Sequence, residues 1–158
     1  MKNRAISRFL LLYALPFTLT SAFLITGVPA ANEDTFITVL EKSYEASCGN
    51  VEGLRDYYLP EAEIIHDGKQ TTLKQTIEDL TKTLTVMKGL ACEYKPRVQG
   101  SYIGDDFAFL TLRESIFISA DEVDEVEILQ ICTYIFLKKD DRWMITHDHC
   151  SEIDGQTV

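Results

Sequence analysis

The chain has 158 residues, a formal net charge of −10 and 46% hydrophobic residues. That length suits a single domain with a core of its own. The acidity repels phosphate backbones, so nucleic-acid partners are not expected, and it reads as a solubility device. The sequence has no P-loop, G-x-G-x-x-G or G-x-S-x-G pattern, which removes the usual nucleotide-cofactor and serine-nucleophile sites, and no cofactor is expected.

Residues 1–30 read as a leader. Lys2, Arg4 and Arg8 precede an uncharged apolar run from Phe9 to Val28, and Val28-Pro29-Ala30 places small residues at a cleavage site. Basic, apolar, then small is the order of a secretory signal peptide. The alternative is an uncleaved anchor, since the run approaches a span of ~20 residues, but Pro16 weakens it. The expectation is a signal peptide at 1–30, a mature domain at 31–158, and a periplasmic or secreted location. Contact with a membrane would come only through an uncleaved leader. The four cysteines, Cys48, Cys92, Cys132 and Cys150, all follow the leader. Export permits disulfides, and four cysteines allow three pairings, with free buried thiols as the other possibility. If disulfides form, Cys132–Cys150 with Cys48–Cys92 is the favoured set.

In the mature chain, Phe36, Leu40 and Tyr44 recur at helical spacing over 33–47, behind Asn32 as cap. A short helix with Val51, Leu54 and Tyr58 follows and closes at Pro60. Residues 62–66 read as a short strand and Asp67-Gly68 as a turn. Thr72-x-x-Gln75 fits a capping box, and Leu73, Ile77, Leu80, Leu84 and Met87 form one apolar stripe ending at Gly89. Beyond it the pattern turns to strands, at about 90–103, 106–119, 126–138 and 142–150. Short connections make these an antiparallel meander, with the helices covering one face.

Hairpin turns then estimate which residues share a face. A two-residue turn at Asp140-Asp141 sets Tyr134 against His147 and Cys132 against His149. A loop centred between Glu122 and Val123 adds Arg113 and Thr111 to those rows. Phe109, Phe136, Ile145 and Trp143 continue the face, giving an apolar wall with a few converging polar groups, as in a small-molecule pocket. In that arrangement Arg113 would hold an anionic or carbonyl group, Tyr134 would donate, and His147 or His149 would move a proton. The plainer reading puts Arg113 in an ion pair, the histidines on a solvated surface and Tyr134 in the core. A turn one residue longer would set Cys132 against Cys150 and turn the histidines toward Thr133 and Ile135, so the cysteine pairing tests the pocket. His147-x-His149 with His66 would offer three zinc ligands, but no carboxylate spacing supports this and no metal is expected.

The last strand, Trp143-Met144-Ile145-Thr146-His147-Asp148-His149-Cys150-Ser151, resembles the W-x-x-x-H-x-H-x-S ending of SnoaL-like domains in the nuclear transport factor 2-like superfamily. It is especially similar to the association domain of calcium/calmodulin-dependent protein kinase and its bacterial relatives. The order of elements over about 33–152 fits the same superfamily. The resemblance implies an α+β fold: a cone-like, curved antiparallel sheet wrapped around a long helix, with a pocket between them. In the association-domain branch the sheet supplies arginines to that pocket. Arg113 falls at one such position, whereas Tyr134 occupies the second. In the ketosteroid isomerase branch an aspartate base ends the first short strand, and His66 stands in its place here.

Three functions follow as expectations. The first is an exported small-molecule-binding protein, assembled as a homodimer or larger, with Arg113, Tyr134, His147, His149, Thr111 and Trp143 around its ligand. The second is a proton-transfer lyase, isomerase or hydrolase with His66 or His147 as base. The third is a homo-oligomeric association module.

Overall fold

The computed structural model describes residues 31–121 and 123–153. Residues 1–30, expected to be a leader, and the polar tail from Asp154 lie outside those residues. Helix α1 spans Glu33–Ser47 and starts in a reciprocal cap, with the Asn32 side chain accepting from Thr35 N and the Thr35 side chain accepting from Asn32 N. A 3-10 helix, Val51–Asp56, leads into β1 (Tyr58–His66) and β2 (Lys69–Thr72). Helix α2 (Leu73–Val86) begins at Thr72, whose side chain accepts from Gln75 N. The strands β3 (Ala91–Ile103), β4 (Phe107–Ala120), β5 (Val123–Lys139) and β6 (Arg142–Glu152) complete the chain. The 3-10 helix is shorter than its sequence pattern suggested, because Tyr58 and Pro60 already belong to β1.

All the strands form one six-stranded sheet in the order β2-β1-β6-β5-β4-β3. The sheet is mixed rather than wholly antiparallel, because β1 runs parallel to β6. This long-range pairing leaves no trace in local turn patterns. Strand β2 is a short edge partner of β1, joined through Asp67 and Gly68, both at positive φ, as a tight two-residue hairpin requires. Register shifts between Tyr58 and Glu63, Val98 and Gly100, Ile118 and Ala120, and Ile135 and Phe136 mark where the sheet bends.

One of these shifts decides the chemistry of the fold. The β5–β6 turn is the expected two-residue hairpin, with Asp140 and Asp141 both at positive φ. From it the ladder runs Lys139 with Arg142, then on to Phe136 with Ile145. Thr146 has no partner, and pairing resumes with Ile135 against His147. Past this bulge Tyr134 faces Asp148, Thr133 faces His149 and Cys132 faces Cys150. Both registers weighed from the sequence therefore occur, one on each side of Thr146. Successive side chains alternate between faces, so the extra residue reverses which of them point inward. Ile145, Asp148 and Cys150 are buried, whereas His149 is exposed.

The core lies between the inner face of the sheet and the helices. Phe36 and Leu40 of α1 are fully buried, and the Phe36 ring lies 4.8 Å from Phe136 and 4.9 Å from Trp143. Truncating such a residue to alanine typically costs about 3–5 kcal/mol. Leu73 and Ile77 of α2 close the other side against β1. Disulfides join Cys48 to Cys92 and Cys132 to Cys150, the favoured set.

Candidate functional site

Between α1, the 3-10 helix, β1, α2 and β6 lies a cavity of about 220 Å³. Leu54, Ile64, Leu73 and Leu80 supply its apolar walls. Ser43, Tyr44 and Ser47 face it from α1, Thr76 from α2, Tyr58 and His66 from β1, and Asp148 from β6. The parallel β1–β6 ladder sets Ile64 beside Asp148 and His66 beside Cys150, which brings the end of β1 up to the Asp148 carboxylate.

Asp148 is 4% exposed, and its Oδ2 accepts a 2.9 Å hydrogen bond from the Tyr58 hydroxyl. Its Oδ1 lies 3.6 Å from His66 Nε2, within ion-pair reach. Asp148, as hydrogen-bonding partner and as a charge, holds the His66 pKa above its ordinary value, while partial burial opposes it. A carboxylate only accepts, so this pairing favours the tautomer with hydrogen on Nε2 and leaves Nδ1 as the basic nitrogen. The His66 side chain is 53% exposed, so the pair sits at the cavity mouth with its acid inside. Burial, and then the charge of Asp148, push the Tyr58 hydroxyl far above its usual range, so it stays a neutral donor.

Deeper in the cone is a second carboxyl, Glu114, which is fully buried. Its Oε1 accepts from the Tyr94 hydroxyl at 2.6 Å. Its Oε2 accepts from Tyr44 at 2.9 Å, Gln130 Nε2 at 2.8 Å and Tyr134 at 3.3 Å. Burial raises the Glu114 pKa, and the bonds from Tyr94, Gln130, Tyr44 and Tyr134 pull it back. Cys132 Sγ lies 3.1 Å from the same oxygen. As half of a disulfide it carries no hydrogen, so this is a contact and not a hydrogen bond. Tyr44 also stacks on Tyr94, with centroids 4.0 Å apart, which ties α1 to β3 over this buried acid.

The expected rows of facing residues are corrected by this geometry. Arg113 is exposed on the outer face and pairs with Arg97 and Ile131, not with Cys132. Thr111 meets Thr133, their hydroxyls 3.4 Å apart. His147 contacts Glu63 through Nδ1 at 3.1 Å, and His149 lies beyond it on the same outer face. Tyr134 points inward as expected but into the Glu114 network, and Trp143 packs on Phe36. Of the proposed bases, His66 reaches the cavity and His147 does not. The three histidines lie on opposite faces and do not assemble a metal site. Two other groupings, His66–Asp148–Cys150 and Glu114–Cys132–Cys150, each rely on a cysteine held in a disulfide, which offers no thiolate. Asp148 and Glu114 were missed as site residues. Two separate register differences hid them: the Thr146 bulge, which exchanges His147 for Asp148, and a one-residue slip in the β4–β5 ladder, which exchanges Arg113 for Glu114.

A SnoaL-like domain model matches residues 38–154, most of the chain. The chain belongs to the SnoaL-like family. Its fold is shared by a conserved protein from Planctomyces limnophilus, with TM-score 0.66 and 13% identity over 77% of this chain and 95% of that one. A proposed dehydratase of the nuclear transport factor 2-like family from Streptomyces avermitilis has TM-score 0.61 and 17% identity, over 77% and 96%. A proposed calcium/calmodulin-dependent protein kinase II association domain from Xanthomonas campestris has TM-score 0.58 and 17% identity, over 84% and 94%. At these identities the likeness is one of fold. No curated protein matches the chain.

Proposed function

We propose that this SnoaL-like protein binds a small molecule in the cavity and moves a proton on it, with His66 as base and Asp148 as the residue that orients and charges it. One observation carries the reading: a histidine paired with a buried, Tyr58-anchored carboxylate at the mouth of an apolar cavity. Such a pair keeps the imidazole in one tautomer and stabilises the imidazolium that forms on proton abstraction. Lyase, isomerase and hydrolase chemistry all begin with this step. The dehydratase assignment of the Streptomyces avermitilis neighbour is consistent with the first of these. The test is a panel of small substrates with an acidic C–H or a β-leaving group, assayed with the parent protein and with His66→Gln. Turnover that His66→Gln abolishes supports the proposal, whereas saturable binding without turnover would make this a binding protein alone.

A second reading concerns assembly. The outer sheet face carries Tyr102, Phe107, Phe109, Ile131 and Leu137, all exposed. Tyr102 pairs with Phe109 and Phe107 with Leu137, which gathers four of them into one area. A contiguous apolar patch of this kind is the usual mark of an interface, and we assign it to a second copy of the chain. Export belongs to the same proposal, supported by the leader pattern of residues 1–30 and by two disulfides.

A further inference from the structure

The hydrogen-bond inventory of the cavity restricts what can enter it. Ser43 Oγ donates to Leu40 O at 2.8 Å, and Ser47 Oγ to Tyr44 O at 2.7 Å. Tyr44 donates to Glu114 and accepts from Gln130, and Tyr58 donates to Asp148. Thr76 shares a hydrogen with Thr71, whose hydroxyl reaches Ile64 O. A hydroxyl has one hydrogen, so Ser43, Ser47, Tyr44 and Tyr58 can offer a ligand only their lone pairs, and Thr76 does the same when it is the donor to Thr71. Ser43, Tyr44 and Ser47 lie on α1, whose interior N–H groups bond within the helix. Asp148 adds carboxylate oxygen beside His66, and among the described residues the lining holds no lysine or arginine.

We infer that the cavity selects a small, largely apolar molecule that presents O–H or N–H groups (an alcohol, phenol or amine) and rejects carboxylates and phosphates. The inference rests on the reading of this cavity as the binding site. It adds that, His66 apart, the polar lining is made almost wholly of acceptors, beside the Asp148 carboxylate. A carbonyl or carboxylate ligand would bury acceptors against acceptors, leaving both unpaired. A donor ligand satisfies them and places its own proton where a basic His66 can take it. The volume suits one ring, since a cavity of roughly 150 Å³ holds benzene.

The test is a two-dimensional 15N NMR titration of the purified protein at pH 7 with phenol, benzylamine, fluorobenzene and benzoate. These share a ring and differ in polar group: neutral donor, cationic donor, no donor, and anionic acceptor. The expected result is saturable shifts at the amides of Ser43, Ser47 and Ile64. At least one of the two donors should bind about fivefold or more tightly than fluorobenzene, as one net hydrogen bond allows. Benzoate should leave these amides unmoved. Preference for phenol would identify a neutral donor as the ligand class, and preference for benzylamine an ammonium group; either supports the inference. Fluorobenzene binding as tightly as both donors, or benzoate binding at these amides, would overturn the acceptor rule while leaving the cavity as the site. No shift at these amides with any of the four would overturn the cavity reading and the inference with it.

Discussion

Tyr134 pairs with Asp148 across the β5–β6 ladder, and both side chains point into the cone. The hairpin turn alone would have set Tyr134 against His147. The unpaired Thr146 makes the difference, placing an aspartate and a disulfide inside and two histidines outside. The candidate site exists because of this one-residue bulge.

Deleting Thr146 removes the bulge itself and should not exchange the faces. With the extra residue gone, continuous pairing from the turn runs from Phe136 with Ile145 directly to Ile135 with His147, so Tyr134 keeps Asp148 and Cys132 keeps Cys150. The expected outcome is a retained disulfide and cooperative unfolding, read by peptide mapping and a circular dichroism melt. Thr146→Ala keeps the residue count and should unfold cooperatively with the disulfide intact.

Glu114 is the polar hub of the core. Replacing it with alanine leaves the Tyr44, Tyr94 and Tyr134 hydroxyls and the Gln130 amide without their shared acceptor. The expected loss is about 3–5 kcal/mol in urea unfolding, the range for breaking a buried polar or charged pair. Glu114→Gln keeps an oxygen acceptor in the same shape and should lose less.

Much of this fold could be read from the chain. Asn32 announces α1, and the spacing of Phe36 and Leu40 gives its buried face. Asp140-Asp141 marks the last hairpin, and the four long strands follow in order. The faces were harder to read. In the β4–β5 ladder Leu112 meets Cys132 and Glu114 meets Gln130, one residue from the assumed register. The connection around Asp121 holds no Asn-Gly or Gly-Gly pair to set its centre. A slip of one residue exchanges Arg113 for Glu114 on the inner face, and the Thr146 bulge exchanges His147 for Asp148. His66 was found through the resemblance of its segment to a known base position. Its partner Asp148 becomes visible only through the parallel β1–β6 contact, which joins segments far apart in the chain.

The two disulfides should differ in their response to reductant. Cys132 and Cys150 are 0% and 1% exposed, whereas Cys48 and Cys92 are half-buried beside an open acidic depression. Mild reduction followed by alkylation and mass spectrometry should label Cys48 and Cys92 first. The inner pair should react only as the protein unfolds.

On the outer face, Phe109→Glu should convert an assembled species to monomer in sedimentation velocity. Phe109 is 36% exposed, so its replacement should cost the isolated fold little. A parent protein that sediments as a monomer at high micromolar concentration would contradict the assembly reading.

The His66–Asp148 pair also links stability to pH. The folded-state pKa of His66 is raised, so protonated His66 stabilises the fold. That contribution is complete below the ordinary histidine value, about 6.5, and is lost as pH rises through the raised folded value. Asp148→Asn should flatten this part of the stability profile, measured by urea midpoints across the window.

The most direct measurement is an NMR titration of the His66 ring in the parent protein and in Asp148→Asn. A pKa above the ordinary histidine value that falls in Asp148→Asn is the predicted result. It would establish the coupled base on which the proposed proton transfer depends. An ordinary His66 pKa that is the same in both proteins would mean that the pair does not act as a unit, and would contradict the account.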